Sequence, residues 1–126
     1  MTTPDVAAAP IRPRILLVDD QADVQDVVAE LLTGVGYDVD AVASGEDALD
    51  AVACRPYDLV ISDLRLPGCS GTALIGEIAR RRPRLANRII LLTGELGDLA
   101  GSLPVIRKPF SVDDVLHVVA AHLFAA

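Results

Sequence analysis

Short apolar runs alternate along this chain with stretches whose apolar residues recur every three or four positions. RILLV (14–18) is short and continuous, the pattern of a strand buried on both faces. It stops at Asp19-Asp20. Val24, Val27, Val28, Leu31, Leu32 and Val35 follow at helical spacing and predict an amphipathic helix, closed by Gly34 and Gly36. YDVDAVA (37–43) alternates, as a strand nearer a sheet edge does. Ser44 with Asp47 resembles a capping box and starts a second helix, which runs through Ala53 and stops by Pro56. YDLVIS (57–62) predicts a third strand ending at Asp63, and LRLPGCSG (64–71) reads as a loop. A third helix is expected from Gly71 to about Arg82, burying Leu74, Ile75 and Ile78, with Pro83 ending it. RIILL (88–92) predicts a fourth strand, followed by Thr93. GELGDLAGS (94–102) is short and Gly-rich, and LPVIR (103–107) predicts a fifth strand whose Pro104 suits an edge. Ser111 and Asp114 cap a last helix through about Phe124, with Val115, Leu116, Val118, Val119 and Leu123 on its apolar face.

Strands alternating with helices imply an α/β fold with a parallel sheet covered on both faces and right-handed crossovers. At 126 residues the chain suits one domain with one core. Residues 1–13 read as a flexible Pro-, Ala- and Thr-containing leader, and 14–126 as the domain. Apolar residues make up 52% of the chain and there is no Trp, so the core is expected to be aliphatic.

The net charge of −7 argues against a nucleic-acid binder of the usual basic kind. It is also uneven. Twelve acids and a single cation, Arg55, lie between Asp19 and Asp63. Five of the eleven cations lie between Arg80 and Arg88, a run that suits a solvated helix end. Cys54 and Cys69 have neither metal-type spacing nor a disulfide-rich context, and fit reduced thiols in a cytoplasmic protein. No apolar run approaches the ~20 residues of a membrane span, and the start lacks the pattern of a signal peptide.

Ligands of an open parallel sheet sit beyond the carboxyl ends of its strands. Those ends carry Asp19 and Asp20, then Asp63, Thr93 and Lys108. Lys108 is the only lysine beside ten arginines. Carboxylates gathered at one rim repel one another, and a hard divalent cation relieves the repulsion. An all-oxygen ligand set with room for water favours Mg²⁺. A metal, a lysine and a hydroxyl facing a carboxylate suit a phosphoryl group, with the carboxylate as nucleophile. Each residue also has a plainer reading. Asp19 and Asp20 suit helix N-caps, Thr93 a strand-end turn, and His117 and His122 an exposed helix surface.

Together, Asp19-Asp20 after ILLV, Asp63 after LVIS, Pro67 and Gly71 in the following loop, Thr93 after IILL, and Lys108-Pro109-Phe110 resemble the receiver domain of bacterial response regulators, the CheY-like family. The resemblance spans about residues 14–124. It implies a flavodoxin-like, doubly wound five-stranded sheet of order 2-1-3-4-5. Asp63 would accept a phosphoryl group from the phosphohistidine of a sensor histidine kinase or a histidine phosphotransfer protein. Mg²⁺ would be held by Asp20, Asp63 and the backbone carbonyl of Arg65, with Asp19 acting through a water. Thr93 and Lys108 would bind the phosphoryl oxygens, and the bond before Pro109 would be cis.

Two departures stand out. The stretch from Thr93 to Lys108 is shorter than the family's by about two helical turns, so the family's helix between strands four and five is expected to be shortened or absent. Val105 stands where the family carries its switch aromatic. The expectation is therefore a signalling domain and not an enzyme, either single-domain or cut from a hybrid kinase, with a non-standard output face or a role as a phosphoryl relay or sink. It is expected to be a monomer or weak dimer without direct nucleic-acid or membrane binding. The reading of another class is a Mg²⁺-dependent phosphatase-like hydrolase, which would need a separate general acid or base.

Overall fold

The computed structural model describes residues 12–66, 69–94 and 103–124. In chain order they form β1 (Arg14–Val18), α1 (Ala22–Gly34), β2 (Asp38–Val42), α2 (Gly45–Cys54), β3 (Leu59–Ser62), β4 (Arg65–Leu66), β5 (Cys69–Ser70) and α3 (Gly71–Arg81). A 3-10 turn (Pro83–Leu85), β6 (Ile89–Thr93), β7 (Val105–Arg107) and α4 (Val112–Leu123) complete them. Five strands pair in parallel in the order β2-β1-β3-β6-β7. Counted without the small β4–β5 pair, this is the expected 2-1-3-4-5 order.

Alternation within the buried strands divides the core into two layers. Ile15, Leu17, Leu59, Ile61, Ile90, Leu92 and Ile106 face one side and pack with Val28 and Leu32 of α1 and Val115, Val119 and Leu123 of α4. Leu16, Val18, Val60 and Ile89 face the other side, toward Ala48 and Val52 of α2 and Leu74 and Ile78 of α3. A strand covered on both faces cannot alternate apolar with polar, which is why these strands read as unbroken apolar runs.

Side-chain caps start three of the helices. The Ser44 and Ser70 hydroxyls accept from the Asp47 and Ala73 N–H groups at 3.1 Å each. Ser111 and Asp114 form a reciprocal capping box. Helix α1 ends where Gly36 adopts a φ of 104°. The Gly36 N–H donates to Thr33 O at 3.0 Å and the Tyr37 N–H to Leu32 O at 3.2 Å, a paired closure that needs a residue tolerant of the left-handed region.

Three expectations need correction. The stretch 64–71 contains an antiparallel pair, β4 with β5, in which Arg65 faces Ser70 and Leu66 faces Cys69. The fifth strand starts at Val105 and not Leu103, because Pro104 has no N–H to give the ladder. Val27 of α1 and Val35, just past its end, are half exposed, at 51% and 53%. The row Val24–Val28–Leu32, with Ala29 beside it, packs on the core, and Val27 lies about 100° away from that row on the helix. Residues 1–11, within the expected leader, and 95–102, where a shortened or absent helix is expected, lie outside the described residues. Pro67 does too.

Candidate functional site

The carboxyl ends of β1, β3, β6 and β7 meet at one rim. The Asp63 N–H donates to Val18 O at 2.9 Å, fixing Asp63 beside the end of β1. The Asp19 N–H donates to Val42 O at 3.1 Å, and the Lys108 N–H to Thr93 O at 3.0 Å. Backbone ladders thus set the spacing of Asp19, Asp63, Thr93 and Lys108 before any side chain takes part. Asp19, Asp63 and Thr93 are buried, Lys108 is half-buried and Asp20 is exposed.

Carboxylate oxygens of Asp19, Asp20 and Asp63 all lie within 4.8 Å of one another. The Lys108 ammonium donates to Asp63 Oδ2 at 3.0 Å and lies 3.0 Å from Asp19 Oδ2. Burial acts to lower the Lys108 pKa, but the hydrogen bond to Asp63 and the neighbouring Asp19 carboxylate outweigh it and hold the pKa above the ordinary lysine value. The Lys108–Pro109 peptide bond is cis. Asp19 Oδ1 accepts from the Gln21 N–H at 2.8 Å. Asp19 Oδ2 is fully buried and has its ion pair with Lys108 but no hydrogen bond among the described residues.

Three carboxylates set against one ammonium leave an excess of negative charge in a partly water-excluded place. Oxygen donors only, one of them buried without a hydrogen bond, fit a hard divalent cation with remaining positions for water. Asp19 and Asp20 do not act as side-chain caps of α1. Its N-cap is Gln21, and no side-chain hydrogen bond caps it.

Glycine at position 71 has a direct bearing on Asp63. A Cβ there would lie 2.5 Å from Leu64 Cα and 2.7 Å from Asp63 O, while the Gly71 N–H donates to Leu64 O at 2.9 Å. Helix α3 therefore starts against the backbone that carries Asp63. Two glutamines were not evident from the sequence pattern. Gln25 Nε2 donates to both Asp19 O (2.8 Å) and Val42 O (2.7 Å), tying the ends of β1 and β2 together. Gln21 Oε1 accepts from Lys108 Nζ at 2.8 Å. The one sequence signal for Gln21 is its place directly after the Asp pair. His117 is exposed, and His122 Nδ1 lies 2.8 Å from Val118 O on its own helix. Both are on α4, and neither is among the rim residues.

Residues 15–120 match the family model of the response regulator receiver domain. The chain belongs to this family. As a receiver domain it is 32% identical over 108 residues to the DNA-binding transcriptional regulator NtrC of Klebsiella pneumoniae, covering 82% of this chain and 23% of that protein. It thus spans about a quarter of the length of that relative. The receiver domain of an HD domain-containing protein from Pseudomonas fluorescens Pf-5 superposes with a TM-score of 0.83 at 30% identity, over 91% of this chain and 90% of that one. A CheY-like receiver from Methanospirillum hungatei JF-1 gives 0.83 at 27% identity, over 90% and 94%. The function of this chain is accordingly that of a two-component receiver. Among the described residues no helix is long and apolar enough to cross a membrane.

Proposed function

We propose that Asp63 is the phosphoacceptor of this receiver and that Asp19, Asp20, Thr93 and Lys108 serve the transfer. The observation that carries this reading is the single ammonium of Lys108, 3.0 Å from both Asp63 and Asp19, in a cluster of three carboxylates at the strand ends. An Asp63 carboxylate oxygen attacks phosphorus, and the bond from phosphorus to the donor breaks. With a phosphohistidine donor, the electron pair returns to the imidazole, which takes up a proton from water. The product is an acyl phosphate on Asp63.

Asp20, Asp63, the Arg65 carbonyl and, through a water, Asp19 would hold Mg²⁺, which when bound supplies positive charge beside the phosphoryl oxygens. Lys108 follows the charge as it moves from the carboxylate to the phosphoryl group, being a compact cation with three rotatable donors. The Thr93 hydroxyl, next to it in the backbone ladder, donates to a phosphoryl oxygen. Such transfer depends on positioning and charge stabilisation more than on proton chemistry, in keeping with a rim that is mostly carboxylate and ammonium.

A sensor histidine kinase or histidine phosphotransfer protein supplies the phosphoryl group in this reading. Val105 lies on β7 opposite Leu91, half-buried, at the position where the family's switch aromatic belongs. An aliphatic there cannot swing a large ring between inward and outward positions, so the signal leaves through another face or the domain works as a relay or sink.

The deciding experiment incubates the protein with Mg²⁺ and acetyl phosphate and measures intact mass. A gain of one phosphoryl group is expected, absent in Asp63→Asn and absent without divalent cation. A wild-type mass unchanged under these conditions and with a phosphorylated donor protein overturns the reading.

A further inference from the structure

Gln21 occupies the N-cap of α1, a position that favours Ser, Thr, Asp or Asn, whose short side chains turn back to the first helical N–H groups. Gln21 makes no such bond. Its backbone is anchored at the rim instead. The N–H donates to Asp19 Oδ1 at 2.8 Å, and the carbonyl accepts from the Gln25 N–H at 3.0 Å. From that anchor the side chain reaches across to the far strand, where Oε1 accepts from Lys108 Nζ at 2.8 Å. The ammonium thus has three neighbours: the Gln21 carboxamide, Asp63 Oδ2 and Asp19 Oδ2. Hydrogen bonds join it to the Gln21 and Asp63 oxygens, and charge alone joins it to Asp19.

We propose that Gln21 is a positioning residue for phosphoryl acceptance, holding the Lys108 ammonium over Asp63 through a neutral acceptor. The proposal rests on the phosphoacceptor reading of Asp63. Its logic is one of charge. Lys108 has to be aimed at Asp63 before transfer and has to move onto phosphoryl oxygens after it. A further carboxylate at position 21 would aim it as well, but would compete with the phosphoryl group for it. A neutral amide oxygen offers the ammonium a hydrogen bond without the full charge–charge attraction that a carboxylate adds. An amide oxygen therefore orients the ammonium and lets it go. The length of glutamine serves the same end, because asparagine is one methylene shorter and stays with the helix end.

Gln21→Asn separates this role from a structural one. Asparagine is a strong N-cap, so thermal stability should hold or rise while the contact with Lys108 is lost. With Mg²⁺ and acetyl phosphate, Asp63 should then be phosphorylated about fivefold more slowly, the size expected from one hydrogen bond. In a Lys108→Gln background the same change should have no further effect on the rate. A second readout needs no phosphoryl chemistry. Because Lys108 is the only lysine, isotope-labelled lysine gives a single side-chain ammonium resonance, which Gln21→Asn should shift. If wild-type protein is phosphorylated and Gln21→Asn matches its rate with the resonance unmoved, this inference alone fails. It fails likewise if the slowing merely tracks a loss of stability. Wild-type protein that takes no phosphoryl group overturns both readings.

Discussion

Two clusters of charge on this domain use the same residue types to opposite effect. At the carboxyl rim, three carboxylates face the one ammonium of Lys108, and among the described residues buried Asp19 Oδ2 has no hydrogen bond. Toward the amino ends of β1 and β3 the carboxylates are matched by partners. Asp40 accepts from the Tyr57 hydroxyl at 2.7 Å and from Arg55 at 3.1 Å, with Arg14 3.8 Å away, and Asp58 accepts from the Arg14 N–H at 2.8 Å. The second cluster is satisfied within itself and half exposed. The first is short of positive charge and built on short side chains whose backbone is pinned by the sheet. The difference teaches that the rim is arranged for something it must bind, whereas the Asp40 cluster fastens α2 and the approach to β3 onto β2.

The largest expected effect tests how rigidly the rim is built. Gly71→Ala places a Cβ 2.5 Å from the Leu64 backbone, so either Asp63 or the start of α3 must shift. Such overpacking against backbone should cost about 3 kcal/mol in chemical denaturation. The same change at Gly34 or Gly76, where a Cβ meets nothing within 4 Å, should not destabilise the fold. A cost at Gly71 no larger than at those positions would show that the rim has slack.

Metal linkage tests the shortage of charge itself. Mg²⁺ in hundredfold excess over its dissociation constant should stabilise the wild-type domain by about 2.7 kcal/mol, read as a rise in Tm. Asp20→Asn should remove most of that rise. Without Mg²⁺ the variant should be no less stable than wild type, because one of three mutually repelling charges is gone. Asp40→Asn should behave the other way, losing stability with or without metal.

Next comes the phenol that satisfies Asp40. Burial, the hydrogen bond to Asp40 and that residue's charge push the Tyr57 pKa up to about 12 from 10.0. Below pH 10 the phenol is protonated in both folded and unfolded chains. Between about 10 and 12 the folded state keeps a proton that the unfolded chain has lost, so this contribution to stability is present below pH 10 and disappears as pH rises through the window. A tyrosinate absorbance titration should show Tyr57 ionising near pH 12, a step absent from Tyr57→Phe. Loss of the hydrogen bond should cost about 1 kcal/mol at neutral pH.

Legibility from the sequence followed the same divide. The rim is legible because each buried strand is an apolar run, and the polar residues after such a run mark its carboxyl end. Asp19 and Thr93 directly follow their runs, Asp63 follows one residue later behind Ser62, and Lys108 stands out by its rarity. The hairpin of β4 and β5 is not, since two-residue strands carry no periodicity. Val27 fits a helical apolar stripe but falls outside the narrower row that the sheet covers, and Val35 comes after the helix has ended at Gly34. The contacts of Gln21 with Lys108 and of Tyr57 with Asp40 join residues 87 and 17 apart in the chain. Their partners are set by which strands neighbour one another, and nothing in the local pattern of either residue announces them.

The smallest effect sharpens the contrast most. Arg55 reaches Asp40 from an exposed position, its side chain 56% accessible. An exposed ion pair contributes little, because water already solvates both partners and ordering a long side chain costs entropy. Arg55→Gln should therefore cost about 0.5 kcal/mol at low salt, and close to nothing at 1 M salt, where the screening length falls to about 3 Å. Asp40 keeps the Tyr57 hydroxyl throughout. Denaturant titrations of Arg55→Gln and Tyr57→Phe at both salt concentrations decide the matter. If Arg55→Gln costs as much as Tyr57→Phe at low salt and that cost vanishes at 1 M salt, then charge and not hydrogen bonding holds Asp40. In that case the two clusters would differ in degree only, and the rim's excess of carboxylate would lose its standing as the mark of a binding site.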